Sequence, residues 1–558
     1  MTNRMLSRID GRSLSVVLVL IALALACPQA RAGGVVSACN EPGLKAALFG
    51  GGAVTFSCSG TITVLGGTIL VSADTSIDGS GQNVTISGGG KVQVFVVNSG
   101  VTLSLNNLTV ADGIAGLGGA GGAGILNNGT VNVTNCTFQG NTGTPANGGG
   151  IYNNGELTVT NCSFNNNSAG GQSGSLVMIA SGGGIYNNGD LTVTNSTFQG
   201  NKSYEGGGIS SNGGSLQVAN SVFYNNSGLV GGGIYNQGSN ANGSGVLGGR
   251  IFNPGSNASV LNSTFSGNLG SSIYNDSGGT AILTNTTLAN TGTADSPNVV
   301  NLGTLTLQDT ILGGAGSGGV NCSGSIIDGG GNLRWPISDS SCVGSYGNPV
   351  LGILENNGGP TWTMALRTGS AAIGTAFPSL CPPTDQRGYL RPSHCSIGAY
   401  EAVSPFTMVM GSQAQFIGFQ TSLLFPIAVV KLRIAVIEPL TESLNPNLWL
   451  GSDGNHLNPQ LGSQVFTLHR AVVDRLSEFI VDSKQLIYIN NLVAADRTLA
   501  AVAINDKGCA TVSSPTATAP PSCTQAVAEL AAGDTSAGMG EYGQAITHYG
   551  KAWQATSQ

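Results

Sequence analysis

Apolar and polar residues alternate in short bursts along the first two thirds of the chain, and the bursts recur. Residues 124–141 read GILNNGTVNVTNCTFQGN, 150–167 read GIYNNGELTVTNCSFNNN, and 184–201 read GIYNNGDLTVTNSTFQGN. Each carries an apolar residue, any residue, an apolar residue, any residue, Asn, two residues, then Phe. The anchors are Asn107, Asn135, Asn161, Asn195, Asn220, Asn262, Asn285 and Asp309, spaced 23 to 42 residues apart. Two positions earlier stand Leu105, Val133, Val159, Val193, Val218, Val260, Leu283 and Leu307. Three positions later stand Val110, Phe138, Phe164, Phe198, Phe223, Phe265, Leu288 and Leu312.

Period-two alternation predicts strands with one inward face. A period in the twenties predicts a solenoid. The connections are Gly/Asn runs such as GGGIYNNG, which suit turns at positive φ. No helical segment separates successive strands. The expected fold class is an all-β right-handed parallel β-helix, one coil per repeat, with coils roughly 4.8 Å apart. The hand follows from the crossover rule for parallel strands. Equivalent residues then stack: the phenylalanines into an inward aromatic ladder, the asparagines at a bend in the left-handed region. Their amides are expected to bond to the coils above and below. The longer gaps place insertions at roughly Ala169–Ser181 and Gly238–Gly255. A short amphipathic helix over Asn40–Phe49 is expected to cover the first coil. After Leu312 the repeat decays, and residues 313–403 are expected to close the far end.

Past Val403 the Gly/Asn repeats stop. Residues 404–466 read as a connecting segment, and 467–558 as a small α-helical C-terminal module. Within it Val472, Val473, Leu476, Phe479 and Ile480 have helical spacing. Residues 540–556 form a second candidate helix, which resembles a tetratricopeptide-type helix. A Pro/Ser/Thr linker spans 508–523. The apolar run Leu423–Ile437 contains Pro426, Lys431 and Arg433, so it does not read as a membrane span.

Composition sharpens this picture. The chain has 88 glycines in 558 residues and only 8% charged residues. Clumped glycines exclude collagen, and ordinary apolar content excludes disorder. Arg4, Arg8 and Arg12 precede an apolar run from Leu14 to Ala26, and Ala30-Arg31-Ala32 follows as a cleavage site. Residues 1–32 therefore read as a secretory signal peptide, with a mature β-helix region over 33–403. Its removal takes four arginines and Asp10, leaving a balance more acidic than the formal −7 of the whole chain. An acidic, charge-poor surface offers nucleic acid no grip. Apart from Cys27, ten of the 11 cysteines fall into local pairs: Cys39/Cys58, Cys136/Cys162, Cys322/Cys342, Cys381/Cys395 and Cys509/Cys523. These read as disulfides in an oxidising compartment. A metal site needs tighter cysteine spacing or nearby histidines. No cofactor is implied.

Candidate chemistry is sparse. The charged residues between Gly113 and Gly314 are Glu156, Asp190, Lys202, Glu205, Arg250, Asp276, Asp295 and Asp309; His394, His456, His469 and His548 all lie outside. Glu156 and Asp190 hold equivalent positions in successive repeats. Two such carboxylates could bind calcium or share a proton, or be turn residues screened by water. Lys202 and Glu205 are possible partners on a nearby loop. Tyr152, Tyr186, Tyr235 and Tyr274 recur at one corner. They read as packing, or as a row of platforms for sugar rings.

The stretches IDGSGQNVTISGGG (77–90), VFVVNSGVTLSLNNLTVADG (94–113) and the GGGIYNNG repeats resemble secreted bacterial right-handed β-helix proteins. In style they are similar to polymorphic outer-membrane protein repeats. NNGGPTWTMAL (356–366), GSAAIG (369–374) and DQRGYLRPSHCSIGAYE (385–401) resemble the closing region of the choice-of-anchor Q domain. The resemblance implies export and surface location rather than a reaction. The expected function is a secreted or cell-surface β-helix, non-catalytic, binding glycans or surfaces through loops and a polar Asn/Ser/Thr/Tyr face. The alternatives are a polysaccharide lyase or glycoside hydrolase, and a structural spacer.

Overall fold

The computed structural model describes residues 33–557, apart from 117–120, 174–175, 179, 238–255, 290–296, 315–319, 368, 393, 403, 421–432, 451–453, 479–482, 508 and 510–519. The expected signal peptide, the insertion Gly238–Gly255 with Arg250, and Asp295, Phe479 and Ile480 lie outside the described residues, as does most of the linker.

One coil shows how the sequence folds. Thr130–Thr134 forms a strand of sheet A, Thr137–Gln139 of sheet B, Thr142–Gly143 of sheet D and Ile151–Asn153 of sheet C. Glu156–Thr160 then returns to sheet A beside the first strand, with Val131 opposite Leu157 and Val133 opposite Val159. Repetition builds parallel sheets of 12 strands (A and B), 10 strands (C) and five strands (D). Most sheet-A strands alternate outward polar and inward apolar residues, because successive side chains point to opposite faces; Ile282 is an outward apolar exception. The chain is a right-handed parallel β-helix. Its insertion after Ala169 is a small antiparallel ribbon, with Gly171–Ser173 pairing Leu176–Met178.

Phe138, Phe164, Phe198, Phe223 and Phe265 form one buried stack, with ring centroids 4.6–4.8 Å apart and planes within 3–5° of parallel. The spacing is that of the strands, so register alone imposes it. The anchor asparagines all adopt positive φ, from 45° at Asn262 to 55° at Asn107, and Asp309 joins them at 43°. Their expected amide ladder is nearly absent: Asn135 Nδ2 donates to Asn107 Oδ1 at 3.1 Å, but the coils that follow do not repeat it. The bend aims these side chains outward. The ladders run instead through other, fully buried asparagines. Asn141, Asn167, Asn201, Asn226 and Asn268 pass Nδ2–H to Oδ1 bonds from coil to coil at 2.9–3.1 Å. A second run joins Asn127 to Asn153 and Asn153 to Asn187 at 2.6–2.7 Å.

Four disulfides form: Cys39–Cys58, Cys322–Cys342, Cys381–Cys395 and Cys509–Cys523. The expected fifth does not: Cys136 and Cys162 are buried free thiols. In-register parallel positions hold equivalent Cβ atoms one strand spacing apart and pointing the same way, whereas a disulfide needs roughly 3.8 Å between them. Each sulfur instead lies 3.2 Å from a carbonyl of its own coil, Thr134 O or Thr160 O.

The first coil is covered by helix α1 (Glu41–Leu48), capped by Asn40 Oδ1 accepting the Gly43 N–H at 2.9 Å, with Leu44 fully buried. At the other end the repeat outlasts Leu312. Cys322–Ser323, Ile327–Asp328 and Leu333–Arg334 add strands to sheets C, A and B. The chain then folds back along the side of the solenoid rather than only over its end. Thr361 Oγ1 donates to Asn220 O at 2.9 Å, Asn262 Nδ2 to Thr384 O at 2.7 Å, and Thr264 Oγ1 to Gln386 Oε1 at 2.6 Å. The docking points are the backbone of the bend at Asn220, the side chain of the bend residue Asn262, and Thr264 at the start of the next sheet-B strand.

The segment DQRGYLRPSHCSIGAYE is the clamp of this return. Arg387 is fully buried between the rings of Tyr389 and Tyr400, 4.1 and 3.6 Å from their centroids, and pairs with Asp385 at 2.7 Å. Arg391 pairs with Glu401 at 2.9 Å. Burial makes each partner costly to remove.

Beyond it lie helices α2 (Pro405–Gln420), α3 (Glu438–Ser443), α4 (Ser463–Ser477), α5 (Ser483–Asp506), α6 (Pro521–Gly538) and α7 (Tyr542–Ser557). Residues 404–466, expected as a connection, are partly helical. Val409 and Phe416 share one apolar core with Val472, Leu492, Ile546 and Trp553, joined by Tyr389 of the clamp. Arg497 pairs with Asp534 at 2.7 Å and also donates to Asn356 O, so α5 and α6 grip the closing region.

Candidate functional site

Glu156 and Asp190 stand directly opposite each other at the first position of adjacent sheet-A strands, both exposed. Asp190 Oδ1 is engaged: it accepts from Ser215 Oγ at 2.7 Å and from the Ser215 N–H at 3.1 Å. Lys202 and Glu205 belong to sheet D, and Ser181 Oγ donates to Glu205 Oε2 at 2.8 Å. The structure therefore brings the acidic pair together without those partners. Among the described residues, no group of three or more His, Cys, Asp or Glu is placed to hold a metal ion.

The tyrosine row lies on sheet C in register, but Ser210 interrupts it between Tyr186 and Tyr235. Tyr186 and Tyr235 are only 6% exposed. Asn212 Nδ2 donates to Tyr186 Oη at 2.6 Å, and Tyr235 Oη donates to Asp276 Oδ2 at 3.0 Å. Their faces are used for packing and leave little for a sugar ring.

A different aromatic site exists where the returning chain leans on sheet B. Leu351–Glu355 and Thr363–Leu366 form an antiparallel hairpin. Between it and the outer row of sheet B lies a cleft of about 630 Å³. Tyr224, Trp335, Trp362, Asn225, Asn348 and Arg367 stand on its walls. Tyr224 points out because its neighbour Phe223 points into the aromatic stack. Its ring stacks on Trp362 at 5.6 Å, and Trp335 stacks on Tyr346 at 5.5 Å. Trp362 remains 45% exposed. One lip is Asn348-Pro349-Val350. Asn348 Oδ1 accepts the Val350 N–H at 3.0 Å, and Val350 sits at φ +39°, a left-handed conformation that a β-branched residue rarely adopts. Apolar ring faces beside amide groups are the combination that uncharged sugar rings and their hydroxyls require.

The repeat pattern conceals this site. Trp335 and Trp362 lie outside the repeats, in stretches without periodicity. Tyr224 carries one signal: it replaces the Gln139, Asn165 and Gln199 of equivalent coils.

A family model described as right handed beta helix region matches residues 69–246. The match covers coils in the first part of the solenoid and leaves out the coils from Asn257 onward, the hairpin, the clamp and the helices. No curated protein and no solved structure matches the chain. The fold makes this a right-handed parallel β-helix protein with an appended helical module. Its disulfides fit an extracellular protein, and among the described residues no helix is long and apolar enough to cross a membrane.

Proposed function

We propose that this chain is a secreted or cell-surface glycan-binding protein, in which the β-helix is the scaffold and the cleft between sheet B and the hairpin is the binding site. The observation that carries this reading is the exposed Trp362 stacked on Tyr224 at the wall of a cleft of about 630 Å³. A cavity of that size suits a short oligosaccharide. The polar groups nearby, Asn225, Asn348 and Arg367, supply donors and acceptors. Four disulfides support an oxidising compartment. A glycan array probed with the full chain and with Trp362→Ala tests the reading. Binding that disappears in the variant supports it. Binding that persists in the variant, or none at all, overturns it.

A further inference from the structure

We propose that this cleft selects sugars that carry a carboxylate, and that Arg367 is the residue that reads it; the inference rests on the glycan reading above. Among the described residues, Arg367 is the one charged residue on the cleft wall, and no described Asp or Glu lines it. On a chain of formal net charge −7, the cleft is therefore a local positive site.

Other arginines near the closing region are occupied. Arg334 donates to Asp339 O at 2.8 Å and Gly344 O at 3.1 Å, while Arg387, Arg391 and Arg497 are ion-paired. The exposed Arg367 side chain has no hydrogen bond or ion pair among the described residues. Its seat is nevertheless fixed. The Arg367 N–H donates to Val350 O at 3.1 Å, and the side chain crosses Gly352, where an added Cβ would lie 3.4 Å from Nε. The Arg367 side chain thus packs over Gly352, and the positive-φ Val350 is held from both sides, by Asn348 Oδ1 and by the Arg367 N–H.

The energetics favour this placement. An exposed Arg–carboxylate pair in open water contributes little. Beside aromatic and apolar walls, which displace water, the same pair strengthens, and the planar fork of Arg meets a carboxylate with two parallel bonds.

The test is titration calorimetry on the full chain with a trisaccharide ending in glucuronate and with its carboxyl-reduced counterpart. We expect the uronate to bind about tenfold tighter, as one charge-assisted contact implies, with the preference shrinking as salt rises. Arg367→Gln should abolish the preference with an unchanged melting midpoint, and Arg367→Lys should keep part of it. Lys202→Gln, an exposed cation on sheet D, should retain it in full. Equal binding of both sugars by the wild type, or a preference that survives Arg367→Gln, overturns the inference. If the reduced sugar still binds and Trp362→Ala abolishes that binding, the glycan reading stands without it. If neither sugar binds, both fall.

Discussion

Asp309 Oδ1 accepts the backbone N–H of Phe377 at 2.8 Å, which ties the last anchor of the repeat to the returning chain. Its Oδ2 is buried with no partner among the described residues, and burial pushes its carboxyl pKa up. A raised carboxyl pKa contributes stability that is present below the unfolded value, roughly 3.9, and is lost as pH rises through the folded value. Asp309→Asn keeps the acceptor for Phe377 and removes the titration. The variant should gain on the wild type as pH rises from about 4 to neutrality, in urea unfolding at several pH values. A wild-type advantage that grows with pH would contradict this.

The phenylalanine stack was legible in the sequence, because a ladder needs only period and register. Phe164 lies between Phe138 and Phe198, 4.8 and 4.7 Å away. Phe164→Ala should cost about 3–5 kcal/mol, as for other buried aromatics. The loss should also reach neighbouring coils, since solenoid stability is a sum of interfaces. Denaturant unfolding with hydrogen exchange on sheets A and B checks both parts.

The asparagines divide into two classes that the sequence alone did not separate. Asn161 sits at φ 52° with an exposed side chain, and its role is conformational. Asn167 donates to Phe138 O at 2.9 Å and to Asn201 Oδ1 at 3.0 Å, and accepts from the Asn141 N–H at 3.1 Å. A pattern search marks the first class because it follows an alternating strand. The second class follows a glycine or another asparagine, where polar residues look like ordinary loop. Asn161→Gly should change stability by a few tenths of a kcal/mol, since glycine tolerates positive φ. Asn167→Ala strands several buried groups and should cost at least about 2–3 kcal/mol. Equal effects in thermal unfolding would show that the two classes are not distinct.

Count and spacing pair Cys136 with Cys162, but that rule ignores Cβ direction. The contact with Cys136 and the burial of the site push the Cys162 thiol well up, out of the reactive range. The same contact pulls the Cys136 thiol down, so protection there rests on burial: both sulfurs are buried, and neither should be alkylated in the native protein, while both should react in denaturant. Non-reducing peptide mapping should return the four other cross-links. A peptide linking Cys136 to Cys162 would overturn this assignment.

Glu156 and Asp190 are the strongest test of the non-catalytic reading. Exposed like charges near 4–5 Å repel by about 1 kcal/mol in water, and salt reduces that further. Part of the arrangement is already explained by structure, because Asp190 Oδ1 receives both donors of Ser215. Asparagine at 190 preserves that acceptor, and glutamine at 156 preserves shape. The Glu156→Gln/Asp190→Asn protein should therefore fold, stay within about 1 kcal/mol of wild-type stability and bind glycans at the sheet-B cleft as the wild type does. Carboxylates that perform acid–base work behave differently, since their loss typically costs about 10²–10⁴-fold in rate. Wild type and variant should be assayed side by side on neutral and acidic polysaccharides for new reducing ends and for lyase absorbance. Cleavage by the wild type that collapses in the variant would move the active site to sheet A and reduce the aromatic cleft to an accessory subsite.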